Sequence, residues 1–228
     1  MARNLSGKRI LITSGPTRAD IDAVRYISNR SSGRLGARIA IEALALQARV
    51  TLVAGRGSVT PAPGDVSAQE WGRLRISKVE TVLDVLQTLQ QELTAPERYD
   101  ALIHAMAVLD YVPEQVQKEK VPSGKKAWDV RLVRTPKIIR QVKVWSPRTF
   151  LVGFKLEVGK DEERLHEPAL AAMRTARADL MVANDLTRIK GEQHPAIIIG
   201  AAGNVLARPQ TKSEIARDLC CILAESLA

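Results

Sequence analysis

Two hydrophobic periods alternate along this chain, and that alternation limits its fold more than any other feature. Lys8-Arg-Ile-Leu-Ile-Thr13 is a short apolar run that stops at Ser14-Gly15-Pro16, as a buried strand entering a turn does. Residues 33–48 then place Leu35, Ile39, Ala43 and Leu46 at helical spacing. Arg49-Val-Thr-Leu-Val-Ala-Gly55 is strand-like, 56–70 is a Gly/Pro/Ser-rich loop, and Leu74-Arg-Ile-Ser-Lys-Val79 is a strand. A helix from Thr81 to Leu93 and a buried strand over 100–107 follow. Near-continuous apolar strands separated by helices imply an α/β fold: a Rossmann-like, mostly parallel sheet with helices on both faces. Such sheets bind ligands at the carboxyl ends of their strands, at the switch point.

The second half is less regular. Val112 to Ala127 is polar and aperiodic, with Pro113, Pro122 and Gly124. A loop of that length in a folded domain is expected to be functional or disordered. Trp128 to Arg134 alternates as a strand does. Thr135-Pro136 has the N-cap and N1 residues of a helix running to about Trp145. Residues 149–154 and 179–184 are strands, and 161–177 is a helix that Pro168 must kink or restart. Ala196–Ile199 and Asn204–Ala207 are expected to form a hairpin, and Thr211-x-x-Glu214 is a capping box opening a last helix. One domain over 1–228, with a flap at about 112–127 and a small β extension, accommodates these elements.

Net charge is +9, and residues 113–148 alone carry ten Lys/Arg against three Asp/Glu. That concentration points to an anionic partner or to a solvated face. Aromatic content of 4% and the absence of any recognised motif argue against a nucleic-acid-binding module. The adjacent Cys220 and Cys221 cannot bridge without strain, and a reducing, cytoplasmic setting is the simpler expectation. Three separated His and no Cys-x-x-Cys leave little for a zinc site, so no protein-held metal is expected. No apolar run reaches the ~18–20 residues of a membrane span. Met1-Ala-Arg-Asn-Leu-Ser lacks the apolar region of a signal peptide.

Several strand ends carry chemistry-bearing residues. Gly15 sits in the turn after the first strand, where nucleotide-binding folds place a phosphate. The G-x-G-x-x-G fingerprint is absent, no acid closes the second strand (Ala54-Gly55-Arg56), and no Tyr-x-x-x-Lys pair occurs; an NAD(P)-binding oxidoreductase is the weaker alternative. Ile27-Ser-Asn-Arg-Ser-Ser-Gly33-Arg-Leu-Gly36 feeds a polar, Gly-punctuated segment into a helix, so that Ser31, Ser32 and the first backbone N–H groups can cradle an anion. Arg30, Arg34 and Arg38 follow at i, i+4 and i+8; they oppose the helix dipole unless an anion binds, or they are a solvated stripe. Asp110 lies just past a buried strand, at the switch point, where it holds a ligand or caps the next loop. His104 reads as a satisfied core histidine. Lys118 and Lys120 are placed to close on a triphosphate.

These segments occur together in one family. Ile12-Thr-Ser-Gly-Pro-Thr-Arg18, Asp22-x-Val-Arg-Tyr-Ile-Ser-Asn-Arg-Ser-Ser-Gly33, Ala107-Val-Leu-Asp-Tyr111, Glu119-Lys120, Val152-Gly-Phe-Lys-Leu-Glu157 and Val182-Ala-Asn-Asp185, in order, resemble phosphopantothenate–cysteine ligase of coenzyme A biosynthesis, over about residues 8–225. The resemblance is to the stand-alone form, with no counterpart of the fused decarboxylase. It implies amide formation between 4′-phosphopantothenate and L-cysteine through an acyl-nucleotide, with CTP or ATP as co-substrate, Mg²⁺ accompanying the nucleotide, a homodimer, and a separate decarboxylase as a partner; neither nucleic acid nor membrane is implied. Position by position, it makes Asn29 the donor that hydrogen-bonds the acyl-nucleotide and assists cysteine attack, Arg25 and Arg30 substrate-side residues with Arg25 close to the chemistry, and Lys120 the neutraliser of the triphosphate. Gly15, Ser31, Ser32, Gly33, Met106, Asp110, Phe154, Lys155, Asn184 and Asp185 would line the nucleotide site. Met106 and Leu109 stand where smaller residues are common in the family and narrow the base pocket, and Val121-Pro122-Ser123-Gly124 separates Lys120 from Lys125-Lys126. His194 is a further nucleotide neighbour.

Overall fold

The first strand, β1 (Arg9–Ser14), is followed by a two-stranded ribbon, β2 (Arg18–Asp20) and β3 (Tyr26–Ser28), then by α1 (Arg34–Ala45), β4 (Arg49–Gly55), α2 (Ala68–Trp71), β5 (Leu74–Val79), α3 (Val82–Thr94) and β6 (Ala101–His104). A second ribbon, β7 (Tyr111–Pro113) and β8 (Leu132–Arg134), precedes α4 (Ile139–Trp145), β9 (Phe150–Glu157), α5 (Glu162–Ala176), β10 (Leu180–Asp185), β11 (Ala196–Gly200), β12 (Val205–Ala207) and α6 (Lys212–Ser226). This computed structural model describes residues 4–124 and 126–228; Lys125, and the Met1–Arg3 part of the amino-terminal stretch read above, lie outside the described residues.

The main sheet has eight strands in the order β12-β11-β10-β9-β6-β1-β4-β5. From β10 to β5 all neighbours are parallel; β11 and β12 add an antiparallel hairpin. The six parallel strands, taken in chain order, have the doubly wound arrangement in which the chain moves outward from β1 to β5 and then returns to start again at β6. The crevice between the carboxyl ends of β1 and β6 is the switch point.

Alternation along the strands assigns each side chain to a face. Ile10, Ile12, Val50, Leu52, Ile103, Val152, Val182 and Ile198 pack with Ile39, Ala43, Leu219 and Leu223 of α1 and α6. Leu11, Val53, Leu102, Leu151, Met181 and Ile199 pack with Val85, Leu89, Val142, Leu165 and Met173 of α3, α4 and α5. The two layers are closed on both sides, as continuous apolar strands require. Cys220 and Cys221 are both free thiols.

Several local expectations need correction. The strand expected over 100–107 ends at His104, because the chain leaves the sheet and Ala107 pairs back onto Pro16. Thr135 caps no helix: its hydroxyl donates to the Leu109 carbonyl at 2.6 Å, and α4 begins only at Ile139. The strand expected from Trp128 shrinks to β8, whose partner β7 lies inside what reads as loop. Residues 68–71 form a short helix within another apparent loop, with Ser67 and Glu70 making a capping box. The β2–β3 ribbon has no apolar period to announce it. Helix α5 runs on through Pro168. In α6, Thr211 caps Glu214 N–H, but the Glu214 carboxylate returns to the backbone of Gln210 rather than of Thr211.

Candidate active site

Glycines bring the ends of the first elements together. Gly15 (φ 80°) and Gly33 (φ 77°) both occupy the left-handed region. A side chain at Gly15 would run into Ser58, and one at Gly36 into Ser14. Ser14 Oγ donates to the Gly33 carbonyl at 3.0 Å, seating the start of α1 on the end of β1. No side chain caps α1, and its first turn carries no acid, so its leading N–H groups are left open. Ser31 N–H donates to the Asn29 carbonyl, and the Ser32 carbonyl accepts from Val59, so both serines shape the approach to α1. Arg30 precedes the helix, and the expected three-arginine stripe reduces to Arg34 and Arg38.

Asn29 lies at the switch point. Its Nδ2 donates to the carbonyls of Ala107 and Val108 at 3.1 and 3.2 Å. The same loop is fixed from below: Ala107 N–H donates to the Gly15 carbonyl, and Leu109 N–H donates to Thr17 Oγ1 at 2.9 Å. Deeper still, Thr13 Oγ1 meets His104 Nδ1 at 2.8 Å. Burial pushes His104 down to about 4, so it is a neutral core group rather than a base. Met106 and Leu109 are both buried in the layer on the α3/α4/α5 side.

Asp110 opens onto a cavity of about 430 Å³ lined by Tyr111, Arg134, Thr135, Lys137 and Arg140. Its carboxylate is paired with Lys137 at 2.5 Å, and both groups are half-exposed. Three cations facing one acid make this an anion-accepting hollow. Arg134, Lys137 and Arg140 belong to the basic run noted above; what the sequence could not show is that the run folds back onto Asp110.

Arg25 is used differently. Its guanidinium binds Asp22 and the Val121 carbonyl, and stacks over Trp128 with 5.5 Å to the ring centre. Buried Asp22 accepts N–H bonds from Val24, Arg25 and Val121. Burial raises its carboxyl, but these bonds outweigh that and hold it at about 2. Gln117 N–H also donates to the Ile21 carbonyl. The flap is therefore latched to the β2–β3 ribbon, with Lys120 exposed beside the latch. Asp22, Thr17 and Lys137 are the residues that sequence reasoning left without a role, although the first two lie inside the strings quoted above.

The last two strand ends divide between the faces. Phe154 and Asn184 share the α1/α6 side, as the parity of Val152 and Val182 requires. Lys155 and Asp185 share the α4/α5 side with Leu151 and Met181. Lys155 pairs with Glu157 at 3.0 Å. Asp185 is fully buried and is spent on its own chain: it accepts from Lys160 N–H and from the N–H and hydroxyl of Thr187. These bonds hold its carboxyl below the usual range. The structure thus gathers Gly15, Asn29, Ser31, Ser32, Gly33 and Asp110 around one crevice, brings Phe154 and Asn184 to one side of it, and turns Lys155 and Asp185 away from that side.

Comparison with known proteins agrees with this fold. Residues 5–227 match the family described as the DNA/pantothenate metabolism flavoprotein C-terminal domain. The coenzyme A biosynthesis bifunctional protein CoaBC of Thermococcus kodakarensis is 38% identical over 217 residues, covering 95% of this chain and 51% of that protein. The chain spans about half the length of the curated relatives it matches. Among solved structures, the DNA/pantothenate metabolism flavoprotein from Streptococcus pneumoniae superposes with a TM-score of 0.82 at 35% identity, covering 93% of this chain and 96% of that one. The C-terminal domain of a CoaBC bifunctional protein gives 0.78 at 30% identity, covering 99% and 98%. With the match running almost end to end and the strand order and switch-point crevice in place, the chain belongs to the DNA/pantothenate metabolism flavoprotein C-terminal domain family.

Proposed function

We propose that this chain is a phosphopantothenate–cysteine ligase: it joins 4′-phosphopantothenate to L-cysteine at the expense of CTP or ATP. The observation that carries the reading is Asn29, held by two carbonyls at the β1/β6 switch point beside the open end of α1. In the first step a carboxylate oxygen of phosphopantothenate bonds to the α-phosphorus, the bond from that phosphorus to the β-phosphate bridge breaks, and pyrophosphate leaves. In the second step the cysteine nitrogen bonds to the acyl carbon, the nucleoside monophosphate leaves with the oxygen, and the nitrogen gives up its proton. Both steps build charge on oxygen, which preorganised donors and cations stabilise.

The chain's own groups suit those demands. The N–H groups of α1 and of the Ser31–Gly33 approach receive phosphate oxygens. Asp110, with Lys137, faces the nucleoside end in the cationic hollow. The resemblance makes Asn29 a donor, but its NH₂ is occupied by the Ala107 and Val108 carbonyls, so its amide oxygen is the group offered to the incoming amine. Lys120 comes down with the flap onto the triphosphate, and Arg25 and Arg30 act on the substrate side, Arg25 by holding the flap. Mg²⁺ enters with the nucleotide, whose phosphate oxygens supply hard donors. Phe154 and Asn184 border the same crevice; Lys155 and Asp185 support it from the far face. A homodimer, a separate decarboxylase that takes up the amide product, and a cytoplasmic setting complete the reading; among the described residues no helix is long and apolar enough to cross a membrane.

The test is to supply CTP, ATP, UTP or GTP with Mg²⁺, phosphopantothenate and cysteine, and to measure pyrophosphate, monophosphate and amide product. Cysteine-dependent release of all three supports the reading; release with no triphosphate, or binding of NAD or DNA instead, overturns it. Asn29→Ala is expected to lower turnover by about 10²–10³ while nucleotide affinity is retained. Unchanged turnover would remove Asn29 from the chemistry.

A further inference from the structure

Helices α1 and α6 lie side by side on one face of the sheet, and Cys220 of α6 rests on the Ile39 carbonyl of α1. Both begin at the sheet's carboxyl edge: α1 starts against Ser14, the last residue of β1, and α6 follows β12, which runs in the direction of β10. The open start of α1 is therefore neighbour to the first residue of α6, Lys212. Lys212 is 7% exposed, with its ammonium on the Gly191 carbonyl. Arg34 and His194 lie within its electrostatic reach, and both interactions are unfavourable; Glu192 is the acid that offsets them.

His194 lies two residues ahead of β11; its backbone N–H donates to the Gln210 carbonyl just ahead of α6, and its ring is within electrostatic reach of Lys212. It is 8% exposed, and its Nδ1 is buried with no partner. An Nδ1 that carries the ring proton is a donor lacking an acceptor, and an anion supplies one. Burial first, and Lys212 second, push the ring down to about 4, so it is a neutral donor at physiological pH. Ser58 Oγ, against Gly15 and Gly33 at the start of α1, is a second buried polar atom with no partner. A cation buried beside another cation, an uncapped helix start and two orphaned polar groups together describe a place that an anion completes.

We infer that His194 and Lys212, together with the open N–H groups of α1, bind phosphate oxygens of the polyphosphate end of the nucleotide. This rests on the ligase reading for the identity of the ligand. It adds Lys212 to that site, gives His194, which the resemblance makes only a nucleotide neighbour, the phosphate end as its contact, and orients the nucleotide: polyphosphate on the α1/α6 side, nucleoside towards Asp110.

Inorganic pyrophosphate and CMP are titrated separately into the wild type, His194→Ala and Lys212→Gln, with histidine NMR resonances followed in parallel. The expected result is pyrophosphate binding that shifts the His194 signals in the wild type and weakens tenfold or more in each variant, while CMP affinity changes less than twofold. Lys212→Arg should recover most of the loss. Equal pyrophosphate affinity in wild type and folded variants overturns the inference, as does a loss confined to 4′-phosphopantothenate, the other phosphate of the reaction. Should Lys212→Gln fail to fold, His194→Asn and the NMR shifts decide the matter. Turnover of the wild type is measured independently: ligase activity with unaltered pyrophosphate binding in the variants sinks only this assignment, whereas absence of turnover sinks the ligase reading.

Discussion

The sheet and the pair of ribbons above it are held by different chemistry. Within the sheet, Leu102, Leu151, Ile12 and Val182 are essentially inaccessible to solvent, and cohesion comes from apolar side chains packed on both faces. In the ribbons, Val24, Tyr26, Tyr111 and Leu132 are largely exposed, Ala19, Ile27 and Val112 are only partly buried against the core, and many of the fixing contacts are polar: Asp22 on three backbone N–H groups, Thr17 on Leu109, Thr135 on Leu109 and Arg25 on Val121. The core gains by excluding water from a large area. The flap gains from a few directional bonds, each modest and readily exchanged for water. A rigid platform with a polar-latched cover suits the proposed ligase, which would have to admit two substrates and a nucleotide and release three products.

Three substitutions would break or sharpen that contrast. Leu102→Ala, in the centre of the sheet, is expected to cost about 2–5 kcal/mol in urea unfolding, through lost transfer energy and a cavity that the packed layers cannot close. Thr13→Val sits at the boundary between the two regimes. It keeps the shape but strips His104 Nδ1 and Met106 N–H of their partner, and about 1–3 kcal/mol is expected to be lost; a smaller value would mean that the switch-point loop rests on packing alone.

Asp22→Asn should lower global unfolding stability by less than Leu102→Ala does. It should increase protease cleavage between residues 114 and 131 and accelerate hydrogen exchange at the Val121 amide. The pH arm has a definite sign. A carboxyl held at about 2 in the folded chain and near 3.9 unfolded contributes fully above the higher value, and its contribution is lost as pH falls from there through the lower one. Val121 protection should therefore fall across that acidic window in the wild type and show no such dependence in Asp22→Asn. Equal melting losses for Leu102→Ala and Asp22→Asn would erase the distinction between platform and cover.

Much of the platform was legible in advance because burial on two faces leaves a strong imprint. A parallel strand covered on both sides must be apolar at nearly every position, and residues 50–55, Thr51 apart, and 180–183 are. The cover left a faint one. Strands of three residues such as β2 and β7 are too short to show a period. Their register is set by Asp22 and Thr135, whose partners are remote in the chain or are backbone groups that carry no identity in the sequence. Thr135 was misleading for that reason: a hydroxyl before Pro136 has the chemistry of a helix cap, and a carbonyl twenty-six residues away claims it.

From the residues alone followed the doubly wound plan, the basic character of the flap, and the concentration of chemistry at strand ends, because periodicity, charge and motif are properties of the chain itself. Only the folded molecule decided that Phe154 and Lys155, or Asn184 and Asp185, face opposite sides of the sheet, that Arg25 serves the latch, and that Lys137 reaches Asp110. Those outcomes depend on strand parity and on distances between elements far apart in sequence, and no local pattern encodes a distance.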